Sequence, residues 1–238
     1  QMISGLVKED PEAEIVAGID ICDNRQNDYP VFTDIRACHV EADAVIDFAS
    51  PKAEEALLDY CVERKLPVVV CTTGLSEEQI QKVKDTSEKV AVLRSANMSL
   101  GVNTLLKLLK EAAKVFAPAG FDMEIVEKHH KYKVDAPSGT ALAMADSLNE
   151  ALDNAYVYKY DRSQERKARD AKEIGISAVR GGNIVGEHDV IFAGTDEVVT
   201  FSHTAHSKAV FGKGAIQAAK FLAGKAPGLY DMSDVING

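Results

Sequence analysis

Between Glu127 and Ala141 the chain reads EKHHKYKVDAPSGTA, a stretch rich in groups that move protons and hold anions. His129 and His130 are adjacent, and Lys128, Lys131 and Lys133 lie within a few residues of them. Imidazole and ammonium groups are common proton donors in acid–base catalysis. Ser138 has the character of a helix N-cap, so the amides of Gly139 and Thr140 and the positive helix end would suit a carboxylate. A metal centre needs convergent ligands. Adjacent residues of an extended segment point to opposite sides, and no H-E-x-x-H or C-x-x-C spacing accompanies the pair, so no metal is expected. On spacing alone a purely structural reading also stands, with the histidines hydrogen-bonded and the lysines solvated.

The rest of the chain sets off this basic cluster. Its 238 residues carry 37 acidic and 27 basic side chains, a formal net charge of −10. Such a surface repels a phosphate backbone, which argues against nucleic acid as a partner. A small anionic substrate would need local positive charge, and the Lys128–Lys133 region supplies it. The cysteines Cys22, Cys38, Cys61 and Cys71 follow no C-x-x-C spacing and lie in or near apolar runs. They read as buried free thiols of a reducing compartment. No apolar run approaches the roughly 18 residues of a membrane span, so a cytoplasmic location is expected.

The elements that must position these groups follow a two-part pattern. Strands are expected at Ile15–Ile19, Ala44–Phe48, Val68–Cys71 and Val90–Leu93, separated by amphipathic stretches. That alternation indicates βαβ units and a parallel sheet. Ser76 and Gln79 have capping-box spacing, and a long helix is predicted over Leu100–Phe116. Beyond Gly120 come a strand over Phe121–Glu127, a helix over Ser138–Leu152, and strands at Ile174–Arg180, Ile184–Ala193 and Val198–Thr204. The short connections Gly181-Gly182-Asn183 and Gly194-Thr195-Asp196 predict that these last three are antiparallel neighbours. Both of their alternating sets carry apolar residues, for instance Val190 and Phe192 against Ile191 and Ala193, which predicts burial of the second face in a homo-oligomer. Asp161–Lys172 reads as a mobile polar loop, and a helix over Val210–Ala223 returns to the first part. The expected fold is α/β: a Rossmann-like parallel-sheet nucleotide domain of residues 1–98 and 209–238, and an α+β substrate domain of residues 99–208 with an open mixed or antiparallel sheet.

Cofactor candidates lie at strand ends. Asp20 follows the first expected strand, where dinucleotide-binding folds place an acid for the ribose hydroxyls. It also reads as an ordinary solvated acid at a strand end. Cys71-Thr72-Thr73-Gly74 and Ser95-Ala96-Asn97-Met98 follow strands directly, with small side chains and backbone amides that suit a flat carboxamide ring. Each also has the composition of an ordinary turn.

The segment HHKYKVDAPSGTA resembles the signature of the bacterial dihydrodipicolinate reductase (4-hydroxy-tetrahydrodipicolinate reductase) family, E-x-H-H-x-x-K-x-D-A-P-S-G-T-A. The resemblance extends through CTTG at Cys71, SANMSLGVN at Ser95, VRGGNIVGEHDVIF at Val179 and GLYDMSDV at Gly228, covering virtually the whole chain. It implies reduction of the cyclic imine from 4-hydroxy-tetrahydrodipicolinate to tetrahydrodipicolinate by NADH or NADPH, in lysine and diaminopimelate biosynthesis. It assigns proton transfer to His129 and Lys133, and the substrate carboxylates to His130, Gly139 and Thr140. Asp20, Cys71, Thr72, Thr73, Ser95, Ala96, Asn97 and Met98 match the cofactor site, and a homotetramer built through the substrate-domain sheet is implied. The chain departs from the family where the first strand and its G-x-x-G-x-x-G loop would stand, since its opening residues read as part of the helix that would follow that loop; a preceding segment is therefore expected. Cys71 replaces a common glycine. Ile21, following Asp20, is not basic and leaves NADH and NADPH both open.

Overall fold

The computed structural model describes residues 2–238. The chain divides into two compact units, one running to Met98 and resuming at Ala209–Gly238, the other formed by Ser99–Lys208.

The first unit contains α1 (Met2–Lys8), β1 (Gly18–Ile19), β2 (Val31–Phe32), β3 (Val45–Asp47), α2 (Glu54–Arg64), β4 (Val68–Val70), α3 (Glu77–Ser87) and β5 (Ala91–Arg94). The second contains α4 (Leu100–Phe116), β6 (Asp122–His129), α5 (Gly139–Glu150), β7 (Val157–Lys159), β8 (Glu173–Arg180), β9 (Gly186–Ala193) and β10 (Val198–Ala205). After it, α6 (Ala209–Leu222), β11 (Gly228–Tyr230) and α7 (Met232–Asn237) complete the first unit.

In the first unit β11, β5, β4 and β3 form a parallel sheet in that order, and β1 pairs with β2 as a separate parallel pair. Val68 and Val70 pack with Leu57, Leu58, Cys61 and Val83 of α2 and α3, whereas Val69 joins Leu93, Ala215, Ala218 and Leu222. Helices on both faces explain why β4 is apolar at every position. Ser76 and Gln79 form the expected reciprocal cap. The first strand is shorter than its apolar run suggests, because pairing ends where its two-residue partner β2 ends. Cys22 is exposed rather than buried, beyond the end of β1, while Cys38 and Cys61 are buried. No described helix is long and apolar enough to cross a membrane.

One buried acid in this unit has an unusual setting. Glu54 opens α2 fully buried, and neither carboxylate oxygen has a hydrogen-bond partner. Burial, then the nearby Asp47, pushes its carboxyl up to about 7. The folded state therefore favours the protonated acid. Its stabilising contribution is complete below the ordinary carboxyl range and is lost as pH rises through about 7. Urea unfolding should show falling stability between pH 5 and pH 8, and Glu54→Gln, a neutral mimic of the acid, should flatten that slope. An equal slope in both proteins would refute the assignment.

The second unit has the sheet order β10-β9-β6-β8-β7, with β6 antiparallel to β9 and parallel to β8. This corrects one expectation. β9 and β10 are antiparallel neighbours, but β8 and β9 are not, because β6 lies between them. The Gly181-Gly182-Asn183 connection therefore crosses the end of β6 rather than closing a hairpin. Met123, Ile125, Ile174, Ile176, Val190 and Phe192 face α4 and α5 and form the core with Leu105, Leu109, Met144 and Leu148. Asp161–Lys172 has no helix or strand, yet it is anchored. Arg169 donates to Asp122 at 2.7 Å, Glu124 at 3.0 Å and the Met123 carbonyl at 3.0 Å.

Candidate active site

The core-facing residues of β6 change character along the strand. Met123 and Ile125 are apolar, whereas Glu127 and His129, also buried on the same face, are polar. β9 runs the other way and shows the same change, from Phe192 and Val190 to His188 and Gly186. Register places Glu127 opposite His188 and His188 opposite His203 of β10. One end of the sheet thus carries a buried polar row, with His129 packed edge-on to His188 at 5.1 Å.

Glu127 is fully buried, which disfavours its charged form. Four donors surround it. Arg180 of β8 donates one N–H to each oxygen at 2.7 Å, the Ser138 amide donates to Oε1 at 3.0 Å, and His129 Nδ1 lies 2.6 Å from Oε2. Burial alone would raise this carboxyl. The bonds from Arg180, His129 and Ser138 outweigh it and hold Glu127 below its ordinary range. Ser138 caps α5 by accepting the Ala141 N–H at 3.1 Å, and its hydroxyl lies 3.1 Å from His188 Nε2. Burial, then the neighbouring His129 and His203, push His188 down to about 4, so its ring is neutral near pH 7.

The segment between β6 and α5 lies over this row. Gly181 donates to the His129 carbonyl at 2.9 Å, Lys131 to the Gly182 carbonyl at 3.2 Å, and Lys133 to the His130 carbonyl at 3.1 Å. The Gly181–Asn183 connection is thus a support for the basic segment. His130 is half-buried, and Lys133 Nζ pairs with Asp135 at 2.8 Å. That ammonium is the first cause holding the Asp135 carboxyl below its ordinary range. Gly139 and Thr140 form the opening turn of α5, where the helix end favours an anion. His129, His130, Lys133, Gly139 and Thr140 therefore share one short stretch of structure at the end of β6. Glu127, Arg180 and His188 join them without having been singled out by sequence reasoning. Only the placement of Glu127 two residues before His129, on the same strand face, hinted at the contact. Among the described residues, no group of His, Cys, Asp and Glu side chains is arranged to hold a metal ion.

The cofactor candidates lie in the first unit, at strand ends. Asp20 is exposed just after β1. The turns after β4 and β5 emerge side by side, because Val70 and Arg94 are paired. Thr72 is buried with its hydroxyl 2.5 Å from Asp47, which leaves it mainly its backbone for a ligand. Thr73 is exposed, and Gly74 takes φ +76° with open space where a Cβ would stand. Cys71 is half-buried, and its thiol is pushed up to about 12 by burial and then by Asp47, which favours the neutral thiol. Ser95 and Asn97 are half-buried, Ala96 is exposed and Met98 is buried. The residues present fit a dinucleotide, which open α/β sheets hold beyond their strand carboxyl ends.

Residues 101–236 match the family model described as dihydrodipicolinate reductase, C-terminus, and residues 1–98 match the model of its N-terminus. The chain is 53% identical over 236 residues to 4-hydroxy-tetrahydrodipicolinate reductase of Caldanaerobacter subterraneus subsp. tengcongensis, covering 99% of this chain and 93% of that one. It is 45% identical over 237 residues to the enzyme of the same name from Clostridium tetani, covering 100% and 92%. Among solved structures, dipicolinate-bound dihydrodipicolinate reductase from Paenisporosarcina sp. TG-14 superposes with a TM-score of 0.80 at 23% identity, covering 97% of this chain and 92% of that one. WlbA dehydrogenase, solved with NADH and UDP-GlcNAcA, superposes with a TM-score of 0.54 at 14% identity, over 98% and 85%. At such identities these structures speak for the shared fold.

Proposed function

The chain belongs to the dihydrodipicolinate reductase family, and from that premise we propose that His129 and Lys133 are the proton-transfer groups with which it reduces the cyclic imine from 4-hydroxy-tetrahydrodipicolinate to tetrahydrodipicolinate. The reaction belongs to lysine and diaminopimelate biosynthesis, and NADH or NADPH supplies the hydride. The observation that carries the residue assignment is that Glu127 ties His129 to the Ser138 amide at the capped start of α5, while the segment between them holds Lys133 through the His130 carbonyl and Asp135.

Hydride addition to an electron-poor ring leaves negative charge that must be neutralised, and Lys133 Nζ or the His129 ring supplies the proton. Gly139, Thr140 and His130 hold the two substrate carboxylates, fixing the ring's orientation. Asp20, the Cys71-Thr72-Thr73 turn and the Ser95-Ala96-Asn97-Met98 turn hold the cofactor, the first unit thus serving as nucleotide domain and the second as substrate domain. Purified full-length protein should oxidise NADH or NADPH only when the imine is supplied. In that assay His129→Ala should lower kcat, whereas His130→Ala should act mainly through KM. KM-only effects for both would overturn the assignment of the pair.

The assembly we propose is a cytoplasmic homotetramer. Its support is the sheet face turned away from α4 and α5, where Val126, Ile191 and Val198 are half-buried or exposed. A monomer in sedimentation at micromolar concentration would refute it.

A further inference from the structure

We propose that Glu127 is a positioning residue for this reaction: one carboxylate oxygen fixes the His129 ring with its proton on Nδ1, and the other fixes the Ser138 amide ahead of α5. A single buried group thereby sets both the orientation of the His129 ring, whose bare Nε2 takes up a proton from solvent and hands it on, and the carboxylate-binding helix end. The inference rests on the assignment of His129 as a proton-transfer group.

The donor count decides the direction of the His129 bond. An ionised carboxylate only accepts, and Glu127 is held ionised by the two-pronged Arg180 contact. The nitrogen 2.6 Å from Oε2 must therefore carry a proton, which in the neutral ring leaves Nε2 bare. A glycine packs against that other side. Gly186 of β9 lies beneath the ring, and a Cβ there would stand 3.1 Å from Nε2. The remaining neighbours cannot set the tautomer. His188 meets the ring edge-on, and the two terminal nitrogens of Arg180 donate to Glu127 and to the carbonyls of Val179 and Asp135. On its second oxygen Glu127 receives the Ser138 amide, so moving this carboxylate displaces the residue that caps α5 and begins the anion site. A carboxylate that orients an imidazole while a second bond ties it to the scaffold is a recurring arrangement behind catalytic and ligating histidines.

A buried ion pair that merely joined β6 to β8 would affect stability and nothing else. The discriminating measurement is the 15N NMR spectrum of histidine-labelled full-length protein, with the His129 signals assigned from the His129→Ala variant. The wild-type ring should show a protonated Nδ1 and a bare Nε2 in its neutral form. In Glu127→Gln, whose amide can offer the ring a donor instead, that preference should be lost. The same variant should lose roughly 10- to 100-fold in kcat, the range typical of groups that orient a reacting ligand, with the cofactor dissociation constant unchanged. A wild-type spectrum showing His129 protonated on Nε2 overturns the proposal even if no variant folds. Loss of kcat in His129→Ala together with an unshifted His129 spectrum and full kcat in Glu127→Gln overturns the role of Glu127 alone. Full kcat in His129→Ala instead overturns the proton-transfer assignment, and Glu127's part in turnover with it.

Discussion

Replacing Lys133 by alanine is expected to lower kcat by roughly 10² to 10⁴, the range for a positioned general acid, while leaving cofactor affinity within about twofold. Lys133 is mostly buried, and its ammonium is engaged with Asp135 at 2.8 Å. It is therefore a held charge and not a wandering surface lysine. The developing negative charge of the reduced ring would draw on it only at the transition state, so its loss should appear in kcat more than in KM. The proposed cofactor residues all belong to the first unit, whereas Lys133 belongs to the second. Cofactor binding measured by fluorescence titration should thus be insensitive to the change. Unaltered turnover in Lys133→Ala would remove the residue from the chemistry.

The other large effect concerns folding. Gly214 lies buried within α6, and a Cβ added there would stand 1.6 Å from the carbonyl oxygen of Met98. Alanine within a helix normally gains about 1 kcal/mol over glycine. Here that gain is set against a collision with backbone, which cannot swing aside as a side-chain tip would. Overpacking of this kind costs typically 1–3 kcal/mol and occasionally more, and Gly214→Ala belongs at the upper end. Gly5 in α1 has nothing within 4 Å of its notional Cβ and provides the control. Urea unfolding should show Gly214→Ala destabilised by about 3 kcal/mol net and Gly5→Ala unchanged or slightly more stable. Equal midpoints would mean that α6 shifts readily along its neighbours.

Where local pattern determines structure, the sequence was sufficient. The apolar face of α4 and the Ser76–Gln79 cap depend on residues within a turn or two of each other, and both stand at their expected positions. The order of the second sheet does not. A short glycine-rich connection between β8 and β9 carries the signal of a hairpin, and nothing local announces that β6 takes the place between them. The candidate site divides in the same way. His129, His130, Lys133, Gly139 and Thr140 stood out because they lie close together in sequence. Arg180 and His188 stand 53 and 50 positions from their partners Glu127 and Ser138, and only sheet register brings them together. Cys22 misled because its neighbour Ile21 is apolar, yet that residue is 95% exposed.

The central place of β6 also bears on how the second unit assembles. Its two flanking strands are made much later in the chain, and the Lys128–Glu187 pair joins residues 59 apart. Of the strand pairs in this sheet, β9 with β10 is the one closed by a short turn. Loop-closure entropy therefore favours that hairpin as an early structure, while β6 can be enclosed only after the distant β8 and β9 reach it from opposite sides. Until then β6 keeps both edges unpaired, and the acid–imidazole–arginine cluster at its end cannot form. The end of this unit that carries the proposed site is thus built from its longest-range contacts, and loop-closure entropy places its completion among the last steps of folding and not among the first.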